Sequence, residues 1–407
     1  MLASYFYSID QRINKMFVMI RITLIAMAFF GLSCSSPENR SGTETALPDE
    51  STLKLNTVAA ITETGEHFFS GLRGLVLTSD GELLVNDRGY QGFLLFDPNG
   101  NYKSKVGNEG RGPGEFADIR HFVLTPDDNL HVFDRNNSRH QILAKEEGEW
   151  REQGELELRQ LQAESIHSFY PSKILDMSER EGEKNYLALF RNNIGFRDTT
   201  TVYHEWLAWV DDEMKPLSDE KLFLDYAEAA VTVRTENSIS VSNHPAGYKR
   251  FIAYDKEKSR VLIANGETGE IAVQNPDQSN RKTVRLPVEI VPIDSNDKTA
   301  YLDNIRRGSG PQAANRANEL YLDHEPVIKQ FVLADDGTYW IETARLDLDK
   351  PDWVVADSTG EIIGSFHSEQ ISEGVQAYRL HAVRGNKLYG SGWIDEIPNL
   401  IISEVTD

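Results

Sequence analysis

From Leu53 onward the hydrophobic residues fall in short runs separated by turns rich in Asp, Gly and Asn. Short apolar runs bounded by turn residues predict β-strands, and a tight Asp/Gly turn between two of them predicts a hairpin. One such hairpin, Leu77-Thr-Ser-Asp-Gly-Glu-Leu-Leu-Val-Asn-Asp87, recurs as Leu124-Thr-Pro-Asp-Asp-Asn-Leu-His-Val-Phe-Asp134, an offset of 47 residues. A third copy is expected at Val332-Leu-Ala-Asp-Asp-Gly-Thr-Tyr-Trp-Ile-Glu342. A second segment repeats as well, with Leu94-Leu-Phe-Asp-Pro-Asn-Gly100 matching Val354-Val-Ala-Asp-Ser-Thr-Gly360. Together they make a unit of four antiparallel strands, and recurrence every ~40–50 residues marks such a unit as one blade of a β-propeller.

Units are expected near residues 73–107, 120–156, 173–217, 249–287 and 329–367, with a sixth from Arg379 to the end of the chain. The sixth contains only three strands, at Leu380–Val383, Lys387–Trp393 and Leu400–Val405. The unclaimed strand Leu53–Ile61 is expected to supply the fourth, which closes the ring and hides two sheet edges. The predicted fold is therefore all-β, a six-bladed propeller of four-stranded antiparallel blades over residues 53–407. Seven blades require a degenerate unit inside 218–248. Between blades four and five, the helix-like stretches Asp297–Arg307 and Gln312–Leu322, broken by Gly308-Ser-Gly-Pro311, predict a helical insert.

The N-terminus follows different rules. Ile22–Leu32 is an apolar stretch of 11 residues preceded by Lys15 and Arg21, the make-up of a signal peptide and too short to span a ~30 Å hydrocarbon core. Met16 or Met19 would be a more natural start than Met1, because Asp10 falls inside the basic region. Gly31-Leu32-Ser33-Cys34 resembles the lipobox of bacterial lipoproteins, with Gly31 where that family usually has Leu. The resemblance implies lipidation of Cys34 after removal of residues 1–33, with residues 34–52 as a polar, flexible tether. Acyl chains at ~0.8 kcal/mol per buried CH₂ then hold the protein to the membrane.

Charge narrows the partners. The 407-residue chain has 42 Lys and Arg against 64 Asp and Glu, and loss of residues 1–33 would take its net charge from −22 to −24. A surface this acidic repels nucleic acid. Cys34 is the only cysteine, which excludes an intramolecular disulfide and zinc sites of the CxxC type.

No motif specifies a reaction. Gly107, Gly110, Gly112 and Gly114 lack the Gly-Lys-Ser/Thr and the helix of a phosphate loop, and read as a tight passage between blades. The Asp/Gly turns lack the ligand spacing of a calcium loop. No Gly-x-Ser-x-Gly elbow is present. His121, His167 and His381 fall near the starts of inner strands, where a propeller could gather them around a metal. A more regular feature is a cation before the first strand of every unit: Arg73, Arg120, Lys173, Lys249, Lys329 and Arg379. In a propeller the first strand is innermost, so these six would ring one mouth of the channel and focus a positive potential there. The competing expectation is that each pairs with one of the many carboxylates nearby. The longer inserts, near 157–172, 218–248 and 288–328, belong to the same face, and function concentrates on such loops.

Val106-Gly-Asn-Glu-Gly-Arg-Gly-Pro-Gly-Glu-Phe116 with the following Phe122–His140 resembles an NHL repeat, and residues 53–407 resemble the six-bladed β-propeller lipoproteins of Gram-negative bacteria. The resemblance implies a monomeric, lipid-anchored protein of the cell envelope, facing the periplasm or the cell surface from the outer membrane. The expected role is binding of an anionic small molecule or another envelope protein at the six-cation mouth, with no catalytic residue, metal or cofactor assigned. The alternative is a propeller hydrolase or lyase of the lactonase kind, using channel histidines or carboxylates with a divalent metal.

Overall fold

The computed structural model describes residues 52–406 except 126, 158–168, 181, 193–202, 212–215, 218–221, 227–229, 235–238, 244–249, 320, 322 and 346–348. Strand β1 (Lys54–Ile61) leads into a first blade of β2 (Leu72–Leu77), β3 (Leu83–Asp87), β4 (Phe93–Phe96) and β5 (Tyr102–Val106). Two short strands, β6 (Asn108–Glu109) and β7 (Glu115–Phe116), pair in parallel and carry the chain to the second blade. That blade comprises β8 (Ile119–Leu124), β9 (Leu130–Asp134), β10 (Arg139–Glu146) and β11 (Glu149–Glu157). The third is β12 (Phe169–Arg180), β13 (Glu183–Asn192), β14 (Tyr203–Val210) and β15 (Leu222–Tyr226). A separate hairpin, β16 (Ala230–Arg234) and β17 (Ile239–Asn243), precedes the fourth blade of β18 (Arg250–Asp255), β19 (Arg260–Asn265), β20 (Glu270–Gln274) and β21 (Lys282–Arg285). Helices α1 (Ser295–Ser309) and α2 (Pro311–Glu319) follow. The fifth blade is β22 (Ile328–Leu333), β23 (Tyr339–Thr343), β24 (Trp353–Ala356) and β25 (Ile362–Phe366). The sixth is β26 (Gln376–Arg384), β27 (Lys387–Ile394) and β28 (Ile397–Thr406), with β1 beside β28.

The inner strands form a closed circle. β2 lies beside β8, β8 beside β12, β12 beside β18, β18 beside β22, β22 beside β26, and β26 beside β2. Six blades complete the ring, and the described residues of 218–248 form no seventh. Within that range, β15 is the outermost strand of the third blade, which extends past the expected limit of 217, and β16 and β17 form a two-stranded hairpin. β1 pairs antiparallel with β28 from Lys54 opposite Thr406 to Ile61 opposite Leu400.

Each blade is buried on both faces, so its strands read as continuous apolar runs. Leu83 and Val85 face the sixth blade, packing with Tyr389, Leu400 and Ile402, while Leu84 between them faces the second blade with Leu130 and Leu143. A core of this kind fills every junction: Phe133 with Tyr186 and Phe190, Leu187 and Leu207 with Val261, Ile271 with Ile328 and Ile341, and Trp353 with Tyr378 and Leu388. The ring itself therefore holds the blades together, through area removed from water between sheets.

Turns and buried carboxylates set the repeat. In the first hairpin Thr78 N–H donates to Glu82 O and Gly81 N–H to Thr78 O; the second repeats this with Thr125, Asn129 and Asp128, the fifth with Ala334, Thr338 and Gly337. The third copy is thus Leu333–Thr343, one residue later than its sequence suggests, because the left-handed position must match Gly81 (φ +85°) and Asp128 (φ 58°) at Gly337 (φ +83°). At the far end of the repeat, buried Asp87 accepts from the backbone N–H groups of Ser70, Gly71 and Gly89, and Asp134 from those of Ala117, Asp118 and Asn137. These carboxylates fasten the loop that leads into each inner strand.

The glycine-rich passage is equally well held. Arg139 donates to the carbonyls of Arg111, Gly112 and Glu115, and Gln141 bonds Gly114 N–H and Glu115 O, so the loop's polar groups are turned toward the protein. The helical insert forms where expected. Asp294 caps α1 through the N–H groups of Asn296 and Asp297, and Gly310 at φ 88° ends it before Pro311 starts α2. α2 packs against β16, which joins the two inserts on the face where the inner strands begin.

Candidate functional site

The channel has two mouths, one where the inner strands begin and one where they end. The ending mouth opens into a cavity of about 460 Å³ bordered by Leu75, Val123, Asp255, Leu333, His381 and Arg384. Several of its charged groups have partners: Lys258 and Arg260 pair with Asp255, Lys256 approaches Asp176 at 4.0 Å, Gly385 N–H donates to Asp335, and Arg384 donates to Thr78 O. His381 Nε2 lies 2.8 Å from Ser391 Oγ. Enclosure by the channel wall, reinforced by the Arg379 charge, brings this imidazole down to about 3, so it is neutral at pH 7.

The starting mouth opens beside blades four to six into a larger cavity of about 690 Å³, bordered by Phe251, Glu325, Lys329, Gln330, Glu342 and Arg379. Two of the six expected cations, Lys329 and Arg379, meet here. Lys329 Nζ is 3.6 Å from Glu325 Oε2. Arg379 is exposed to solvent and makes no hydrogen bond or ion pair with any described residue. Arg73 is drawn elsewhere: its Nη1 donates to Ile119 O at 3.2 Å and lies 3.8 Å from Asp118 Oδ1, a tie between the first two blades. Arg120 and Lys173 occupy the inner strands β8 and β12, with their side chains outside the described structure, and Lys249 lies outside the described residues altogether. Of the three cations whose side chains are described, Arg379 alone is without a carboxylate. Arg73 and Lys329 thus follow the expectation that these cations pair with nearby carboxylates.

Gln330 is a site residue that sequence reading passed over. Its amide donates to Tyr378 O at 2.7 Å and accepts from Leu380 N–H at 3.1 Å, so it brackets the backbone on either side of Arg379. The same NH₂ group also donates to Glu342 Oε2. A lone Gln beside Lys329 carries no motif, and its backbone partners come only with the apposition of β22 and β26. Of the three expected channel histidines, His121 lies in β8, His381 is bonded to Ser391, and His167 is outside the described residues. Among the described residues, no group of three or more His, Cys, Asp and Glu side chains is placed to hold a metal ion. Cys34, the apolar stretch before it and the tether up to residue 51 also lie outside them, and no described helix is long and apolar enough to cross a membrane.

Comparison with known proteins agrees with this architecture. A family model described as a 6-bladed beta-propeller matches residues 55–143, the strand β1, the first blade and most of the second. A crystal structure of a Bacteroides fragilis protein described as exported is similar over 89% of this chain and 98% of its own, at 12% identity and a TM-score of 0.51. A Bacteroides vulgatus protein of the duf4221 family is similar over 87% of this chain and 99% of its own, at 11% identity and a TM-score of 0.47. Virginiamycin B lyase from Staphylococcus aureus is similar over 87% and 100%, at 9% identity and a TM-score of 0.42. No curated protein sequence matches. The chain is a six-bladed β-propeller of four-stranded antiparallel blades, and identities this low speak for the fold alone.

Proposed function

We propose that the protein is a binding module of the bacterial cell envelope that takes an anionic group at the starting mouth of its channel and performs no chemistry on it. Arg379 carries this reading. Its guanidinium is exposed at the cavity border with no ion pair to any described residue, so it is available to donate a charge-assisted, bidentate hydrogen bond to an anion. Lys329, on the adjacent inner strand, adds a second cation to the same wall. Arg120, Lys173, Lys249 and Arg73 occupy the corresponding sequence positions on other blades and are held in this reading to contribute long-range potential rather than contact. The signal-like stretch Ile22–Leu32 and the lipobox-like residues ending in Cys34 support attachment to the outer membrane through lipid, with the propeller acting as a monomer at the end of a polar tether.

The test is a thermal melt of the purified chain with increasing concentrations of small anions. A ligand that binds only the folded state raises Tm with concentration. Anions are expected to do so, neutral sugars are not, and Arg379→Gln is expected to abolish the response. Melting temperatures unmoved by every anion would overturn the reading. For the anchor, fatty-acid labelling should mark the wild type and not Cys34→Ser.

A further inference from the structure

The ending mouth of the channel is a second cavity of different character. Val76, Leu77, Val123, Leu124, Leu333 and Ala382 line it from the inner strands β2, β8, β22 and β26, and each keeps part of its surface exposed although it belongs to the innermost layer. Taking that aliphatic surface out of water favours an apolar occupant. The charges at the rim favour neither sign. Asp255, Glu257 and Asp335 stand against Lys256, Lys258 and Arg384, and within this set Lys258 pairs with Asp255 while Arg384 donates to Thr78 O. At about 460 Å³ the cavity falls in the range of ~300–1,000 Å³ typical of small-molecule sites.

His381 interrupts the apolar wall. Beyond the register shift near the strand start that β26 shares with β2, β8 and β22, it has a second between Leu380 and Ala382, which leaves His381 as the extra residue. A bulge of this kind re-aims a side chain. His381 Nε2 is held by Ser391 Oγ at 2.8 Å, while Nδ1 has no hydrogen-bond partner among the described residues. The ring is neutral at pH 7, so one nitrogen donates and the other accepts, and the direction of the Ser391 bond decides which role is left to Nδ1. A hydroxyl donates as readily as it accepts and so satisfies either tautomer. A carboxylate satisfies only one, and a neutral ring does not offset the cost of moving its charge out of water.

We propose that the ending mouth binds a neutral, hydroxyl-bearing apolar molecule, a phenol or an alicyclic alcohol, with its hydroxyl on His381 and its body against the aliphatic wall. This site is separate from the anion site at the starting mouth, and either can fail without the other. The experiment titrates the purified chain at pH 7 with 4-iodophenol, 4-iodotoluene and 4-iodobenzoate by calorimetry, and locates the iodine in crystals soaked with each by anomalous scattering. The phenol is expected to bind with its iodine inside the ending mouth, and 4-iodobenzoate to leave that mouth empty. In His381→Phe the ratio of phenol to toluene affinity should fall about fivefold, the effect of losing one hydrogen bond between neutral partners. The iodine position in the wild type keeps the test decisive if that variant does not fold. A phenol that does not bind or whose iodine lies elsewhere, a benzoate iodine in the ending mouth, or an unchanged affinity ratio in His381→Phe would each overturn the proposal.

Discussion

His131 Nδ1 and His140 Nε2 face each other at 2.9 Å inside the second blade, both buried from solvent. His140 stacks on Phe133 and His131 packs edge-on to Tyr186 of the third blade, so the pair sits within the junction between the two. Only one nitrogen of the contact can carry a proton without repulsion. Burial brings His131 down to about 4, with the Asp127 charge acting upward and Lys184 downward, and takes His140 well below its ordinary value, the adjacent His131 adding to the effect.

Acid should therefore loosen the molecule before its carboxylates titrate. A histidine whose pKa is depressed on folding contributes stability that is complete above ~6.5 and is lost as pH falls toward the folded value. For His131 the loss by pH 5 is about 2 kcal/mol, from a folded value of about 4. Urea unfolding at pH 7, 6 and 5 should show this decline, and the double variant His131→Leu with His140→Leu should show a shallower one. Equal slopes would remove the pair from the pH response.

The strand pairing of β1 with β28 carries a second expectation. Without residues 53–61 the edge of β28 is open to other chains, and Leu53 and Leu55 no longer cover the junction of blades five and six. The truncated protein should aggregate or unfold without cooperativity, as seen by light scattering and thermal melts. A truncated form that stayed monomeric and melted like the parent would show that the ring closes without β1.

Turn chemistry makes a test of opposite signs. Gln278 holds φ 66° in a turn of the fourth blade whose hydrogen bonds match those at Gly100 and Gly360. Gln278→Gly relieves a left-handed side chain and should stabilise by up to about 1 kcal/mol. Gly360→Ala should destabilise by about 1–3 kcal/mol, since its Cβ would lie 2.4 Å from Val284 Cγ1 at a φ of +91°. Chemical denaturation of both variants settles the signs.

Glu82 is buried between Lys103 and Lys145, the latter at 2.7 Å, and so links the first two blades. The Glu82 hydrogen bond is the main reason that the Lys145 pKa is raised. Glu82→Ala should cost about 2 kcal/mol, while Lys145→Ala should cost less than half as much because Lys103 keeps the carboxylate paired. Equal losses in urea melts would mean that Lys103 does not share the charge.

The six four-stranded blades and the helical insert were legible in the sequence because they depend on local chemistry. Apolar runs make strands, Asp and Gly close the turns, and a repeated order of both makes a repeated unit. Misjudgements came where local chemistry was degenerate: the third hairpin copy is one residue later than its sequence suggests, and the third blade's outer strand, Leu222–Tyr226, follows a long connection. The mouth of the channel was legible only in outline. The six-cation spacing pointed to the face where the inner strands begin, yet a cation's role depends on the nearest carboxylate, and that is set by blades far apart in sequence. Asp118 claims Arg73 across 45 residues, Gln330 brackets Arg379 from the next blade, and His131 meets Tyr186 across a junction. Sequence alone determined which pieces repeat. Closing the ring decided which charges find partners, because Coulombic and hydrogen-bond energies depend on distances in space.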